Sequence, residues 1–173
     1  MLKTTANKIT VFRIVLIPVF LLLAYRDHRI AALLVFIVAC LSDMADGYIA
    51  RHYNQITNFG KFMDPLADKM LVLAAMCFFV ESGQMAGWAV SLVLLREFAV
   101  SGLRLIAVEQ NRVIAAAKSG KVKTACTMIA LCIMMVFPYR AVNVICTVLI
   151  LITTLYSGCE YFAKNRDVFS DID

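Results

Sequence analysis

Six apolar stretches, at roughly residues 9–25, 30–50, 60–80, 86–108, 115–137 and 141–161, follow one another closely along the chain. Each approaches the ~20 residues that a helix needs to cross a bilayer. Backbone groups in lipid must satisfy their own hydrogen bonds, and the polar loops between the stretches are short. The pattern therefore predicts an all-α integral membrane protein, a bundle of six transmembrane helices with residues 1–173 as a single domain. A mean hydropathy of +0.81, with 62% hydrophobic and 17% charged residues, agrees with that reading and disfavours a soluble domain of the same length. Several stretches are pure for only about half their length, so the competing reading is a soluble bundle of buried helices.

Charge sets the expected orientation, because Lys and Arg accumulate in short cytoplasmic loops. Lys3, Lys8, Arg51, Lys61, Arg112, Lys118, Lys121, Lys123, Lys164 and Arg166 fall on one face, against Arg26, Arg29 and Arg140 on the other. Both termini and the loop after the second stretch are thus expected in the cytoplasm of a bacterial-type cell. The net charge of +5 suits anionic membrane lipids, and no soluble basic face suggests nucleic acid. The first apolar run has no small-residue cleavage site after it, which marks a retained helix. Residues 1–14, "MLKTTANKITVFRI", mix cations with apolar side chains and are expected to form an N-terminal interfacial helix. The six cysteines are dispersed singly through apolar runs, as small packing residues are.

Residues 42–69, "SDMADGYIARHYNQITNFGKFMDPLADK", place four carboxylates in this apolar chain. Asp43, Asp46, Gly47 and Ala50 are spaced i, i+3, i+4 and i+7, one face of a helix. Gly60, Asp64 and Asp68 repeat a single face at i, i+4 and i+8, and Pro65 removes one amide from that helix at the cost of a kink unless it lies in the first turn. Two neighbouring helices joined by a short loop can aim all four acids at one point. Converging carboxylates near a membrane boundary must be protonated, paired or bound to cations. An all-oxygen donor set with about four negative charges suits two hard divalent ions, Mg²⁺ or Mn²⁺. Such a pair would favour displacement at a diphosphate, with Gly47 and Gly60 admitting the ligand to the backbone and Arg51 adding donors for phosphate oxygens.

The string Asp43-x-x-Asp46-Gly47-x-x-Ala50-Arg51, eight residues, then Gly60-x-x-x-Asp64-x-x-x-Asp68 resembles the complete signature of the CDP-alcohol phosphatidyltransferases. The preceding "NKITVFR", with Asn7, Thr10 and Arg13, is also similar to that family, so the resemblance covers most of the chain. It implies that Asp43, Asp46, Asp64 and Asp68 hold two metal ions and that Thr10, Asp43, Gly47, Ala50, Arg51 and Gly60 bind CDP-diacylglycerol. It also implies Asp68 as the catalytic base and a homodimeric assembly.

"REFAVSGLR" (96–104) and "GKVKT" (120–124) are similar to the branch of the family that joins CDP-diacylglycerol to glycerol 3-phosphate and releases CMP. An acceptor with its own phosphate needs further cations. The resemblance assigns these first to Arg104 and Lys121, with Arg96, Lys118 and Lys123 as further candidates. Arg96 also neighbours Glu97, so an internal ion pair accounts for it equally well, and the three lysines also suit a topology loop. Sister enzymes using serine, inositol or its phosphate, or phosphatidylglycerol share the whole acidic motif. A cation transporter would favour inverted repeats and acids near mid-membrane, and a membrane prenyltransferase would need more spans.

Overall fold

In the computed structural model the described residues are 5–52, 58–110, 114 and 117–166, and the side chains of residues 5–8, 43–52, 58–65, 68 and 109 lie outside that description. Among the described residues six helices and no strands occur: α1 (Thr5–Tyr25), α2 (Arg29–His52), α3 (Asn58–Glu81), α4 (Gly87–Glu109), α5 (Lys118–Val136) and α6 (Arg140–Lys164). Each covers one predicted apolar stretch to within a few residues. The expected interfacial helix is not separate over its described part. Thr5–Tyr25 is one continuous helix because nothing before Pro18 interrupts the amide ladder, and the helix also runs on through Pro18. α3 likewise continues through Pro65, which stands in its interior rather than its first turn.

The chain divides into two compact units, Met1–Gly83 with Met135–Pro138, and Gln84–Met134 with Tyr139–Asp173. In the first, α1 packs against α2 and α3, and α2 against α3. Phe20, Phe36, Leu71, Met76 and Phe79 fill its core, with Ala24, Ala32, Ala39, Ala67 and Ala75 allowing close helix approach. The Phe20 and Phe36 rings lie 5.7 Å apart, and Tyr25 meets Phe78 edge-on at 5.4 Å. α1 ends in a Schellman turn. Asp27 adopts a left-handed φ of 59°, its amide donating to Ala24 O at 3.1 Å and that of His28 to Leu23 O at 3.0 Å. Two residues beyond the end of α3, Gly83 has a φ of 70°, a conformation that glycine adopts without a Cβ penalty.

In the second unit α4 packs against α6. Val100, Leu103, Ala107 and Tyr161 form an apolar cluster flanked by Ile106, Ile114, Ala117 and Phe162. Pro138 cannot continue α5, and Tyr139, extended at φ −84° and ψ 137°, starts α6.

The exposed sides of the helices are apolar in stripes of helical spacing: Phe12, Val15, Val19 and Leu22 on α1, Ile30, Leu34, Val38 and Leu41 on α2, and Trp88, Leu95, Phe98 and Leu105 on α4. α5 shows Val122, Ile129, Ile133 and Val136, and α6 shows Val144, Val148, Ile152 and Leu155. Thr10, Arg13, Lys123, Thr127, Asn143, Thr154 and Ser157 are instead buried. That is the inverse of a water-soluble surface and suits a lipid solvent. Among the described residues Lys118–Val136 and Arg140–Lys164 are long and apolar enough to cross a membrane, and Ile9–Tyr25 and Arg29–Ser42 are shorter apolar helices.

Candidate active site

The motif falls on two helices that touch. Asp43, Asp46, Gly47, Ala50 and Arg51 occupy the last turns of α2, while Gly60, Asp64 and Asp68 occupy the first turns of α3. The side chains of these eight residues lie outside the described residues, as does the loop 53–57, so the structure brings their helices together and leaves the metal and nucleotide contacts untested. Among the described residues no group of three or more metal-ligating side chains occurs.

The described residues beside this region belong to α1. Thr10 and Arg13, one helical turn apart, are 1% and 0% exposed. Arg13 Nε donates to Ser42 Oγ at 3.4 Å, and Ser42 Oγ donates to Ala39 O at 2.7 Å. A fully buried guanidinium thus rests against the residue that immediately precedes Asp43. It places positive charge midway along α2, one residue before the acidic motif begins. The sequence offered a signal for this, an arginine within an apolar run.

The cation candidates lie in the second unit, Arg96 and Arg104 on α4 and Lys118, Lys121 and Lys123 on α5. They divide into two kinds. Arg96 NH1 donates to Glu97 Oε1 at 2.9 Å, and Lys123 Nζ donates to the same oxygen at 2.7 Å. Arg96 NH2 donates to Ser157 Oγ at 2.5 Å, so this cluster ties α4, α5 and α6 together. The Arg96, Glu97 and Lys123 side chains are 12%, 20% and 7% exposed. Gly158 makes room for the arginine, since a Cβ there would stand 3.1 Å from Arg96 Cγ. A buried lysine and a part-buried arginine on one carboxylate leave one net positive charge among these three side chains, and Arg96 Nε has no partner among the described residues.

Arg104, Lys118 and Lys121 are exposed. Arg104 Nε donates to Tyr161 Oη at 2.9 Å, with the guanidinium carbon 5.3 Å from the ring centroid. Sequence reading had no means of finding Ser157 or Tyr161, which lie 61 and 57 residues from the arginines they meet. Neither differs in sequence from an ordinary helix residue.

The family model for CDP-alcohol phosphatidyltransferase matches residues 3–156. The chain is similar to the CDP-diacylglycerol–glycerol-3-phosphate 3-phosphatidyltransferase of Bacillus subtilis (strain 168), at 39% identity over 92% of this chain and 93% of the relative. A protein of that same name from Shigella flexneri serotype 5b is 37% identical, over 91% of this chain and 92% of its own. A probable phosphatidylglycerophosphate synthase of Mycobacterium tuberculosis (strain ATCC 25618 / H37Rv) is 35% identical, over 94% and 82%. With an unbroken acidic motif on two contacting helices and a family match over nearly its whole length, the chain belongs to the CDP-alcohol phosphatidyltransferases.

Proposed function

We propose that this protein transfers the phosphatidyl group from CDP-diacylglycerol to glycerol 3-phosphate, giving phosphatidylglycerophosphate and CMP. The observation that carries the reading is the complete Asp43-to-Asp68 motif on α2 and α3, in a chain whose relatives are named for this reaction. The sister acceptors share that motif, so the exposed Arg104 and Lys121 support the choice of an acceptor with its own phosphate.

Asp43, Asp46, Asp64 and Asp68 fit a pair of Mg²⁺ or Mn²⁺ ions by donor chemistry, being hard oxygen ligands on two contacting helices. Bound there, such ions would supply Lewis-acid stabilisation of charge on the diphosphate oxygens. Arg51 donates to the diphosphate, Thr10, Gly47, Ala50 and Gly60 shape the nucleotide's seat, and Arg13 steadies the α1 and α2 side of it. Asp68 accepts the proton of the glycerol 1-hydroxyl, whose oxygen forms the new bond to the β-phosphorus as the bond to CMP breaks. Arg104 and Lys121 hold the acceptor phosphate. The acyl chains remain in lipid, in keeping with the apolar stripes on the exposed helix faces.

The same stripes support six spans rather than only the two most apolar helices. The excess of Lys and Arg at one set of helix ends supports cytoplasmic termini and active site. A homodimer is the family expectation for the assembly.

An acceptor panel tests the function. Purified protein receives CDP-diacylglycerol, Mg²⁺ or Mn²⁺, and glycerol 3-phosphate, serine, inositol, inositol phosphate or phosphatidylglycerol in turn, with CMP release as the readout. Glycerol 3-phosphate is expected to be preferred, chelator to stop turnover reversibly, and Asp43→Asn or Asp64→Asn to abolish it. Preference for another alcohol would move the chain to a sister activity, and turnover in chelator would remove the metal reading.

A further inference from the structure

We propose that Tyr161 is a positioning residue for the acceptor phosphate, acting through Arg104. The proposal rests on the assignment of that phosphate to Arg104 and extends it to a residue two helices along the chain.

Three features of the pair combine. The Tyr161 ring is 2% exposed and packed among Val100, Leu103 and Ala107, so apolar contacts on α4 and α6 hold its position. Its hydroxyl accepts from Arg104 Nε at 2.9 Å. That bond occupies the inner edge of the guanidinium and, among the described residues, leaves the terminal nitrogens with no other protein partner. An exposed arginine ordinarily samples many rotamers, and each must be frozen when a ligand binds. Here a hydroxyl on a buried ring holds one edge of the guanidinium beforehand, and its outer N–H groups, without another partner among the described residues, are left for a phosphate.

Arg96 provides the contrast. Glu97 and Ser157 take both of its terminal nitrogens and its Nε is the atom without a partner, the reverse of the Arg104 arrangement. One arginine of α4 is held by its fork and the other by its edge, and only the second presents a fork to a ligand.

Steady-state kinetics of the full-length enzyme in mixed micelles with CDP-diacylglycerol and Mg²⁺ test this, varying glycerol 3-phosphate. Tyr161→Phe keeps the ring in its cluster and removes only the oxygen. The KM for glycerol 3-phosphate is expected to rise about fivefold or more, with kcat and the KM for CDP-diacylglycerol within about twofold of the parent. In an Arg104→Ala background the same change should add nothing, because a residue that works through Arg104 has nothing left to position. Arg104→Lys keeps the charge but has no Nε edge, so Tyr161→Phe should also be silent there. Losses that add in either background, an unchanged KM in Tyr161→Phe, or equal losses for both substrates would overturn the proposal. Arg104→Ala with an unchanged glycerol 3-phosphate KM would instead remove the acceptor assignment beneath it.

Discussion

Arg96 and Arg104 stand eight residues apart on α4, both within an apolar run, and the protein treats them oppositely. Arg96 is enclosed: Glu97 beside it, Ser157 from α6 and the cleared surface of Gly158 surround the guanidinium, and Lys123 from α5 shares its carboxylate. Arg104 is exposed and, among the described residues, is held by Tyr161 alone, through its hydroxyl and ring. The difference teaches that a cation in an apolar helix is committed or available according to what neighbouring helices bring to it. Its own sequence neighbourhood decides little. In the proposed acceptor region, then, Glu97 joins helices while Arg104 and Lys121 are left exposed for the proposed ligand.

The largest expected effect comes from breaking the enclosed cluster. Glu97→Gln leaves the buried Lys123 and the part-buried Arg96 without their shared carboxylate, which should lower stability by about 3 kcal/mol or more. In a chain of this size that is a fall of roughly 6 °C or more in thermal midpoint, measured on the purified protein. Replacing the trio together with Arg96→Met, Glu97→Leu and Lys123→Met should restore stability to within about 1 kcal/mol of the parent, since a filled apolar site carries no desolvation cost. If that stable triple variant has lost acceptor affinity, Arg96 and Lys123 are themselves ligands of the phosphate and the comparison breaks.

Next in size is Arg104→Ala, expected to raise the glycerol 3-phosphate KM about tenfold or more, as loss of a charge-assisted hydrogen bond would. Its thermal midpoint should stay near the parent's, the opposite of Glu97→Gln. Lys121→Ala should act on the same KM to a similar or smaller degree. Added salt should weaken acceptor use in the parent and do so less in either variant, because exposed charge pairs are screened. Titrating acceptor KM against ionic strength in the three proteins checks both.

Gly158→Ala has the smallest expected effect. The new methyl meets Arg96 Cγ at 3.1 Å, while alanine favours the helix by about 0.5–1 kcal/mol, so the two should nearly cancel. A thermal midpoint within about 3 °C of the parent is expected, with glycerol 3-phosphate KM unchanged. A raised KM would mean that movement of Arg96 reaches the acceptor after all.

The helices were legible because each apolar run is bounded by a polar or turn-forming cluster: Arg26–Asp27–His28 after α1, Ser82–Gly83 after α3, Pro138 after α5. At residues 1–14 composition suggested a separate interfacial segment, and from Thr5 onward no breaker divides it from the rest of α1. The acidic motif was legible because its members are close in sequence and helical spacing alone puts them on one face. The acceptor region was legible only in part. The positions of Arg96 and Lys123 could be read, but not that they share Glu97 Oε1, because a lysine 26 residues from its carboxylate looks like any cytoplasmic loop cation. Tyr161 was invisible for the same reason: its role depends on which helix it faces.

Only Arg26, Asp27 and His28 separate α1 from α2, and the Schellman turn uses all three to close the first helix. So tight a reversal sets the two helices side by side, and α1 packs closely on α2. α1 and α2 therefore form a helical hairpin with an exposed polar tip. The ion pair of Arg29 Nε with Asp27 Oδ1, at 2.8 Å, joins two of that tip's charges as a nearly neutral couple. The residue that caps one helix thus also fastens the first residue of the next.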